Sequence, residues 1–191
     1  AEYGAGQWLI DSNDYDAKGN EVRDLSPQGI KAALDATPDG ADAAAIKSTS
    51  DFYATSTIYN DDIKDSSGAV TLPAGSRAVD VLTPASQMSV GGALVTARKR
   101  VHTDYDQGAP NNGVNPASGQ PYSLSTTVTA SAIDNAGTQL SELTRTTNGY
   151  AAISSGDTDG WSLGTPTTVT TGGVTRTTRY DSAGRTIEQR Q

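Results

Sequence analysis

The sequence lacks several residue types on which enzymes and compact domains commonly depend. Its 191 residues include no cysteine, one histidine and only 6% aromatic side chains. The missing cysteines exclude disulfides, thiolate chemistry and cysteine-ligated zinc. A hydrolase triad or a multi-histidine metal site would need residues from outside this chain, since His102 stands alone. No apolar run approaches the roughly 20 residues of a membrane-spanning helix.

The residues that are abundant favour strands and turns over helices. There are 20 glycines and many threonines and serines, and only 35% of the chain is apolar. This composition predicts an all-β protein whose strands have large solvated faces. The formal net charge of −8 disfavours electrostatic binding to nucleic acid or to an anionic membrane.

The clearest local signal lies in the last 18 residues. Two β-prone arms flank a short turn that begins at Asp181 and ends at Gly184. A first-position aspartate can accept a backbone hydrogen bond, and a glycine three residues later tolerates positive φ, so the spacing predicts a tight hairpin. The same Asp-x-x-Gly spacing recurs at Asp16/Gly19, Asp65/Gly68, Asp134/Gly137 and Asp157/Gly160. The chain is therefore predicted to be a series of antiparallel hairpins.

These hairpins are predicted at about residues 7–24, 52–72, 94–147 and 167–191, with a loop at 107–121. In the first of them, Trp8, Ile10 and Tyr15 are expected to supply the buried side. In the predicted strand at 94–106, polar and less polar side chains alternate strictly between the two faces. Arg98 and Arg100 fall on the face predicted to be exposed to solvent. The basic run Arg98-Lys99-Arg100 is therefore interpreted as part of a solvated strand.

Residues 26–50 interrupt the β pattern. Ser26 can cap a helix and Pro27 suits its first position, while apolar residues recur at helical spacing until Pro38. The sequence predicts a short helical insertion near 27–47. It is interpreted as a surface excursion between two hairpins, with a plug or contact element as the alternative.

The last hairpin also resembles a known repeat. Arg179-Tyr180-Asp181-Ser182-Ala183-Gly184-Arg185-Thr186-Ile187 resembles the YD repeat of RHS proteins, in which Tyr-Asp is followed by two residues, Gly-Arg and an apolar residue. Residues 13–20 match with Asn20 in the arginine place, Asp104–Gly108 gives a shortened match, and residues 132–137 lack the tyrosine. The motif residues are Tyr15, Asp16, Gly19, Tyr105, Asp106, Asp134, Gly137, Tyr180, Asp181, Gly184 and Arg185.

The resemblance implies a curved sheet strip that forms part of a hollow shell, as in RHS polymorphic toxins, insecticidal toxin-complex cocoons and the teneurin barrel. Such a shell encloses a C-terminal toxin or supports cell-surface contact, outside the producing cell. Because the chain starts without methionine and stops after a strand-like arm, we expect it to be part of a longer polypeptide. Its expected partners are adjacent repeats of that polypeptide and the enclosed toxin, and its expected location is secreted or at the cell surface.

Each motif residue has an expected structural role. The aspartate fixes the turn and the glycine permits it. Tyr15 and Tyr180 are expected to pack against a neighbouring hairpin, and Arg185 to brace a carboxylate or carbonyl of that neighbour. The family's self-cleavage motif, typically Asp-Pro-x-Gly-Leu, is not present in the sequence.

No catalytic, cofactor or metal residue is assigned from the sequence. His102, beside Arg100 and Asp104 on a predicted strand, is expected to be an exposed wall residue. The pairs Asp157/Asp159 and Asp61/Asp62 are weak calcium candidates, and solvated turn carboxylates are the alternative.

Two further functions remain open at this point. A binding module for glycan or cell-surface protein would use exposed aromatics, for which Trp8 and Trp161 are the candidates, although packing residues are the simpler interpretation. An enzyme such as a glycosidase would need two carboxylates in one cleft.

Overall fold

A computed structural model describes residues 10–64 and 67–191. Over these residues antiparallel strands dominate and helices are few and short, which confirms the all-β class with short helical insertions. The strands are β1 (Ser12–Tyr15), β2 (Glu21–Leu25), β3 (Thr55–Tyr59), β4 (Ile63–Lys64), β5 (Val70–Leu72), β6 (Ala78–Leu82), β7 (Ser86–Val90), β8 (Ala93–Tyr105), β9 (Ser125–Ile133), β10 (Gln139–Gly149), β11 (Thr168–Thr171), β12 (Val174–Tyr180) and β13 (Thr186–Arg190). The helices are α1 (Pro27–Ala36), α2 (Ala43–Phe52) and α3 (Gly160–Leu163), and a 3-10 turn spans Asn111–Gly113.

The described chain divides into two compact units. Unit 1 contains the described part of residues 1–58 together with 80–100 and 131–141, and unit 2 contains the described parts of 59–79, 101–130 and 142–191. No helix in the described ranges combines the length and hydropathy needed to cross a membrane.

Unit 1 is a sheet segment with two helices packed on it. Its strands follow the order β1-β2-β3-β6-β8, and β7 pairs antiparallel with the first residues of β8. Helices α1 and α2 contact each other and β2. Small side chains permit this close packing, because Ala33, Ala54 and Ala97 are buried together with Leu25. The core of unit 1 is therefore thin and built from small residues.

The helical insertion forms as predicted at its start and extends further than predicted at its end. The Ser26 hydroxyl accepts a hydrogen bond from the Gly29 N–H at 3.1 Å, and Pro27 occupies the first turn. Helix α2 is capped by Asp42 and continues to Phe52, so β3 begins at Thr55 rather than at residue 52. The alanines that open α2 have high helix propensity, and this local preference carries the helix through the region predicted to be a strand.

The first hairpin is present, but its expected buried side is wrong. β1 and β2 pair antiparallel, with a register shift between Asp14 and Tyr15. Ile10 is 62% exposed and Tyr15 is 59% exposed. In unit 1, β1 is the outermost described strand, so no described strand lies beyond it to cover Tyr15. Trp8 lies outside the described residues.

The hairpin predicted at 52–72 is built differently. β3 pairs with β2 through Arg23↔Ser56, whereas β4 and β5 form a separate two-stranded ribbon. Asn60 accounts for the change of direction, because its side chain donates to the Pro73 carbonyl at 3.1 Å and accepts from the Arg77 N–H at 2.8 Å. Asp65 lies outside the described residues.

Unit 2 contains the closing hairpins. Its strand order is β8-β9-β10-β11-β12-β13, and the last three pairings are antiparallel in the predicted manner. The core centres on Trp161, whose ring centroid lies 4.5 Å from that of Tyr150 and 5.2 Å from that of Tyr122. Thr167 is fully buried and donates its hydroxyl to the Ala151 carbonyl at 2.7 Å. Aromatic packing therefore replaces a large aliphatic core here.

The turn predicted at Asp157–Gly160 is wrong. Asp159 instead caps α3 by accepting from the Ser162 N–H at 2.8 Å, and Gly160 is the first helical residue. A Cβ added at Gly160 would lie only 2.2 Å from the Thr165 carbonyl oxygen. This glycine is required by close backbone packing and not by a positive φ.

Candidate functional site

Three turns of the described chain share one hydrogen-bond pattern, and these turns are the candidate repeat site. They begin at Asp16, Asp134 and Asp181. In each, Oδ1 of the aspartate accepts from the backbone N–H two residues on at 2.8–2.9 Å and four residues on at 2.8–2.9 Å. The aspartate N–H also donates to the carbonyl four residues on, at 2.9–3.0 Å. One side chain therefore organises five residues.

The glycine of each turn is required by its backbone conformation. Gly19, Gly137 and Gly184 have φ of +85°, +82° and +75°. Each donates its N–H to the carbonyl of the turn aspartate at 2.8–3.1 Å. Any other residue at this φ carries a steric cost, which explains the fixed spacing of aspartate and glycine.

The residue that follows the turn glycine differs among the three turns, and so does the hydrogen bond that it donates to the turn aspartate. Arg185 donates from Nε to Asp181 Oδ2 at 2.8 Å, and Asn20 donates from its amide to Asp16 Oδ2 at 2.9 Å. Thr138 contributes its backbone N–H to Asp134. The prediction that Arg185 braces a neighbouring hairpin is wrong, because its carboxylate partner belongs to its own turn.

These bonds shift the turn carboxylates toward the ionised form. The Arg185 side chain, followed by its backbone N–H, holds the pKa of Asp181 below its ordinary value. The Asn20 side chain and backbone N–H do the same for the pKa of Asp16. Hydrogen bonds to the charged form therefore outweigh the small desolvation effect in both turns.

We expect stability to fall under acid, through these carboxylates. A depressed folded-state pKa contributes stability that is complete above the unfolded-state pKa, about 3.9 for aspartate. That contribution is lost as pH falls through the lower folded-state pKa. Thermal melts from pH 7 to pH 2 should show the loss below about pH 4, and the Asp181→Asn variant should lose less on acidification than the native chain. An identical acid dependence in the two proteins would contradict this account.

We also expect Asp181→Ala to loosen the last hairpin selectively. Without the carboxylate, the N–H groups of Ala183 and Arg185 lose their acceptor, and their hydrogen exchange should accelerate about tenfold or more. Asp39→Ala is the matched control, because Asp39 is exposed and lies outside the three turns. Equal exchange of the β12–β13 amides in both variants would show that the turn does not need its aspartate.

Asp106, the shortened motif match, organises a long loop instead of a tight turn. It has φ of +60°, and its carboxylate accepts from the backbone N–H groups of Ser123 and Leu124 at 2.9 and 2.8 Å. Arg77 approaches the same carboxylate at 3.3 Å. The aspartate thus closes the base of the predicted loop at 107–121.

The motif tyrosines lie in three different environments. Tyr180 is buried at 9% exposure, as its predicted packing role requires, and its hydroxyl lies 3.4 Å from the Thr165 hydroxyl. Tyr105 donates its hydroxyl to the Ala78 carbonyl at 2.9 Å. Tyr15 is exposed, so the role predicted for it is wrong.

Arg98 is another residue that the sequence pattern placed wrongly. It is only 7% exposed, and its guanidinium donates to the carbonyls of Ala54 at 2.7 Å and Thr83 at 2.9 Å, and to the Ser56 hydroxyl at 3.0 Å. Burial lowers the pKa of this guanidinium from its ordinary value. The neighbouring Lys99, which strict alternation placed on the face opposite Arg98, is exposed. The alternation of β8 puts these two cations on opposite faces, but it assigns the solvated face to Arg98, which is the buried one.

Three of the four acidic side chains weighed for calcium, those of Asp62, Asp157 and Asp159, have protein partners. Both oxygens of Asp157 accept from Arg179 at 2.9 and 3.0 Å, and Asp159 caps α3. In the other pair, Asp62 accepts from the Ala74 N–H at 2.7 Å. No group of three or more histidine or acidic side chains suited to a metal was found among the residues described.

Trp161 and His102 are the remaining candidates for binding or catalysis, and both lie in environments typical of structural residues. Trp161 is buried at 8% exposure, so its ring is not a platform for a sugar. His102 lies on β8 with a 39% exposed side chain, and its Nε2 is 3.3 Å from Asp104 Oδ1. Neither arrangement positions a nucleophile or an acid pair.

Comparisons with protein-family models, with curated proteins and with solved structures found no match to the chain.

Proposed function

We propose that the chain is a non-catalytic segment of an RHS-type repeat shell that encapsulates or presents a toxin or effector outside the producing cell. The observation that carries the proposal is the identical hydrogen-bond pattern of the turns at Asp16, Asp134 and Asp181. Their sequences are those that resemble the YD repeat. A repeated local structure is what a repeat protein requires of its sequence.

The packing of the last hairpins supports a structural role. β11 and β12 carry mainly threonine, and most of their side chains are exposed or half-buried. Hairpins of this kind bury too little apolar surface to be stable alone, so they depend on pairing with neighbouring strands. The adjacent repeats of a longer polypeptide, with the toxin they enclose, are the partners we propose.

The competing function, a surface module that recognises glycan or protein through aromatics, has weaker support. Its two candidate residues were Trp8, which lies outside the described residues, and Trp161, which packs against Tyr150. The shell segment is therefore the function that we propose.

The test is an image of the intact gene product that contains this segment. Cryo-electron microscopy should show a hollow particle with residues 10–191 in its wall. Limited proteolysis should leave an enclosed polypeptide intact, and mild opening of the shell by acid should expose it to cleavage.

A second arm addresses the repeat turns. Asp16→Ala, Asp134→Ala and Asp181→Ala combined in the intact protein should shorten the protection of the enclosed polypeptide, whereas Asp39→Ala should not. A solid particle without an enclosed segment, or protection that is unaffected by the triple variant, would contradict the proposal.

A further inference from the structure

A cavity of about 210 Å³ lies within unit 2, between the β4–β5 ribbon and the loop at 107–121. A cavity this small admits a ligand the size of one sugar ring and not a drug-sized molecule. The lining residues that carry the argument are Lys64, Thr71, Arg77, Tyr105, Asn112 and Pro121.

Arg77 is the central group of this cavity. Its side chain is 13% exposed, and its guanidinium lies 4.2 Å from the centre of the Tyr105 ring. Among the described residues, Asp106 is the one acceptor for this guanidinium, at 3.3 Å. The Arg77 Nε is buried and has no hydrogen-bond partner in the described structure. This atom is enclosed by protein, so a ligand in the cavity would contact the terminal nitrogens of the guanidinium, of which Nη1 already donates to Asp106.

The charge of the cavity favours an anion. Lys64 is exposed at the rim and forms no ion pair with a described residue. Asp106 is the acidic lining residue, and its oxygens are already occupied by Arg77 and by two backbone N–H groups. Among the described lining residues, two cations therefore face the space with a single carboxylate, whose oxygens already accept hydrogen bonds.

The loop that forms one wall is closed by its own backbone hydrogen bonds, including Tyr122 N–H to the Gly113 carbonyl at 3.1 Å. In the described chain the non-glycine residues with positive φ are Asp106, Asn111, Asn112 and Ser123, and all four lie in this loop or at its base. A bridge between Val114 and Pro121 ties its two arms together. A preformed wall lowers the ordering cost of binding.

We infer that this cavity binds a small hydroxylated carboxylate of the sugar-acid class. The carboxylate bridges the Arg77 guanidinium and the Lys64 ammonium, which together supply charge-assisted hydrogen bonds. The Thr71 hydroxyl, which donates to the Ile63 carbonyl at 3.1 Å, can still accept from a ligand hydroxyl. Asn112 offers its amide, and Pro121 offers an apolar surface to the ring. Such a site is independent of the shell proposal and holds whether or not the chain lines a container.

The experiment is a titration of the 15N-labelled 191-residue chain with D-glucuronate. We expect shifts of the Arg77 Nε–H resonance and of the backbone amides of Asn112 and Gly113, with saturation. D-glucose, which lacks the carboxylate, should leave these resonances in place. Lys64→Gln should weaken binding about fivefold, the effect of losing one partly exposed ion pair.

Two further variants separate binding from folding. Asn112→Gly keeps the positive φ available and removes the amide, so it should weaken glucuronate binding without changing the melting temperature. Lys99→Gln, at an exposed lysine away from the cavity, should bind as the native chain does. The inference is overturned if glucuronate produces no shifts, if glucose produces the same shifts, if inorganic phosphate binds as tightly as glucuronate, or if Lys64→Gln binds unchanged. None of these results depends on the particle that tests the shell proposal.

Discussion

Trp161→Ala is expected to lower the free energy of unfolding by about 3–5 kcal/mol, the usual range for removing a buried large aromatic side chain. Trp161 belongs to α3 and packs against the Tyr150 and Tyr122 rings, with centroid separations of 4.5 and 5.2 Å. The chain has only two tryptophans and one phenylalanine, so unit 2 has few other large groups to fill the space. Urea denaturation followed by far-ultraviolet circular dichroism measures the loss.

Two matched variants test whether the loss comes from packing. Trp161→Phe keeps an aromatic ring in contact with Tyr150 and should cost clearly less than the alanine variant. Ile187→Ala removes a large apolar side chain that is 53% exposed and should change stability by no more than about 0.5 kcal/mol. If Trp161→Ala were as mild as Ile187→Ala, the aromatic cluster would not be the core of unit 2.

Arg98→Ala is expected to have the second-largest effect, a loss of about 2–4 kcal/mol. The variant removes the donor from the carbonyls of Ala54 and Thr83 and from the Ser56 hydroxyl, all in unit 1. It also leaves a cavity, because Arg98 is only 7% exposed. Chemical denaturation gives the free energy, and hydrogen exchange of β3 and β8 locates the damage.

The adjacent residue supplies the control for Arg98. Lys99→Ala removes a cation from the same strand at an exposed position and should be nearly neutral. Arg98→Met fills most of the volume but provides no donors, so it isolates the contribution of the hydrogen bonds. A native-like stability of Arg98→Met would mean that the guanidinium stabilises unit 1 by packing alone.

The turns could be predicted from the sequence because the interactions that form them are local. The Asp181 carboxylate bonds to groups two and four residues away, so a short stretch of sequence contains both donor and acceptor. The Ser26 cap of α1 was predictable for the same reason. Asp157 has the same spacing to a glycine, but the predicted turn does not form there. Both of its carboxylate oxygens accept hydrogen bonds from Arg179, which is distant in sequence.

The positions that sequence reasoning missed depend on distant partners. The Arg98 guanidinium is held by the carbonyls of Ala54 and Thr83, which are distant in sequence. The alternation within β8 carries no information about these acceptors. Tyr15 and Tyr180 occupy equivalent motif positions, yet one is exposed and the other is buried. Likewise, the cavity depends on Arg77 meeting Tyr105 and Asp106, which belong to a different strand and loop.

The hydrogen bonds of the aspartate turns join residues that are close in sequence, so these turns can form early in folding. Each turn closes over five residues, at Asp16, Asp134 and Asp181, and needs no contact from the rest of the sheet. Loops of this size close in well under a microsecond, and hairpins form in about 1–10 μs. The three bends can therefore nucleate independently, and the slow step is the lateral joining of hairpins that already exist.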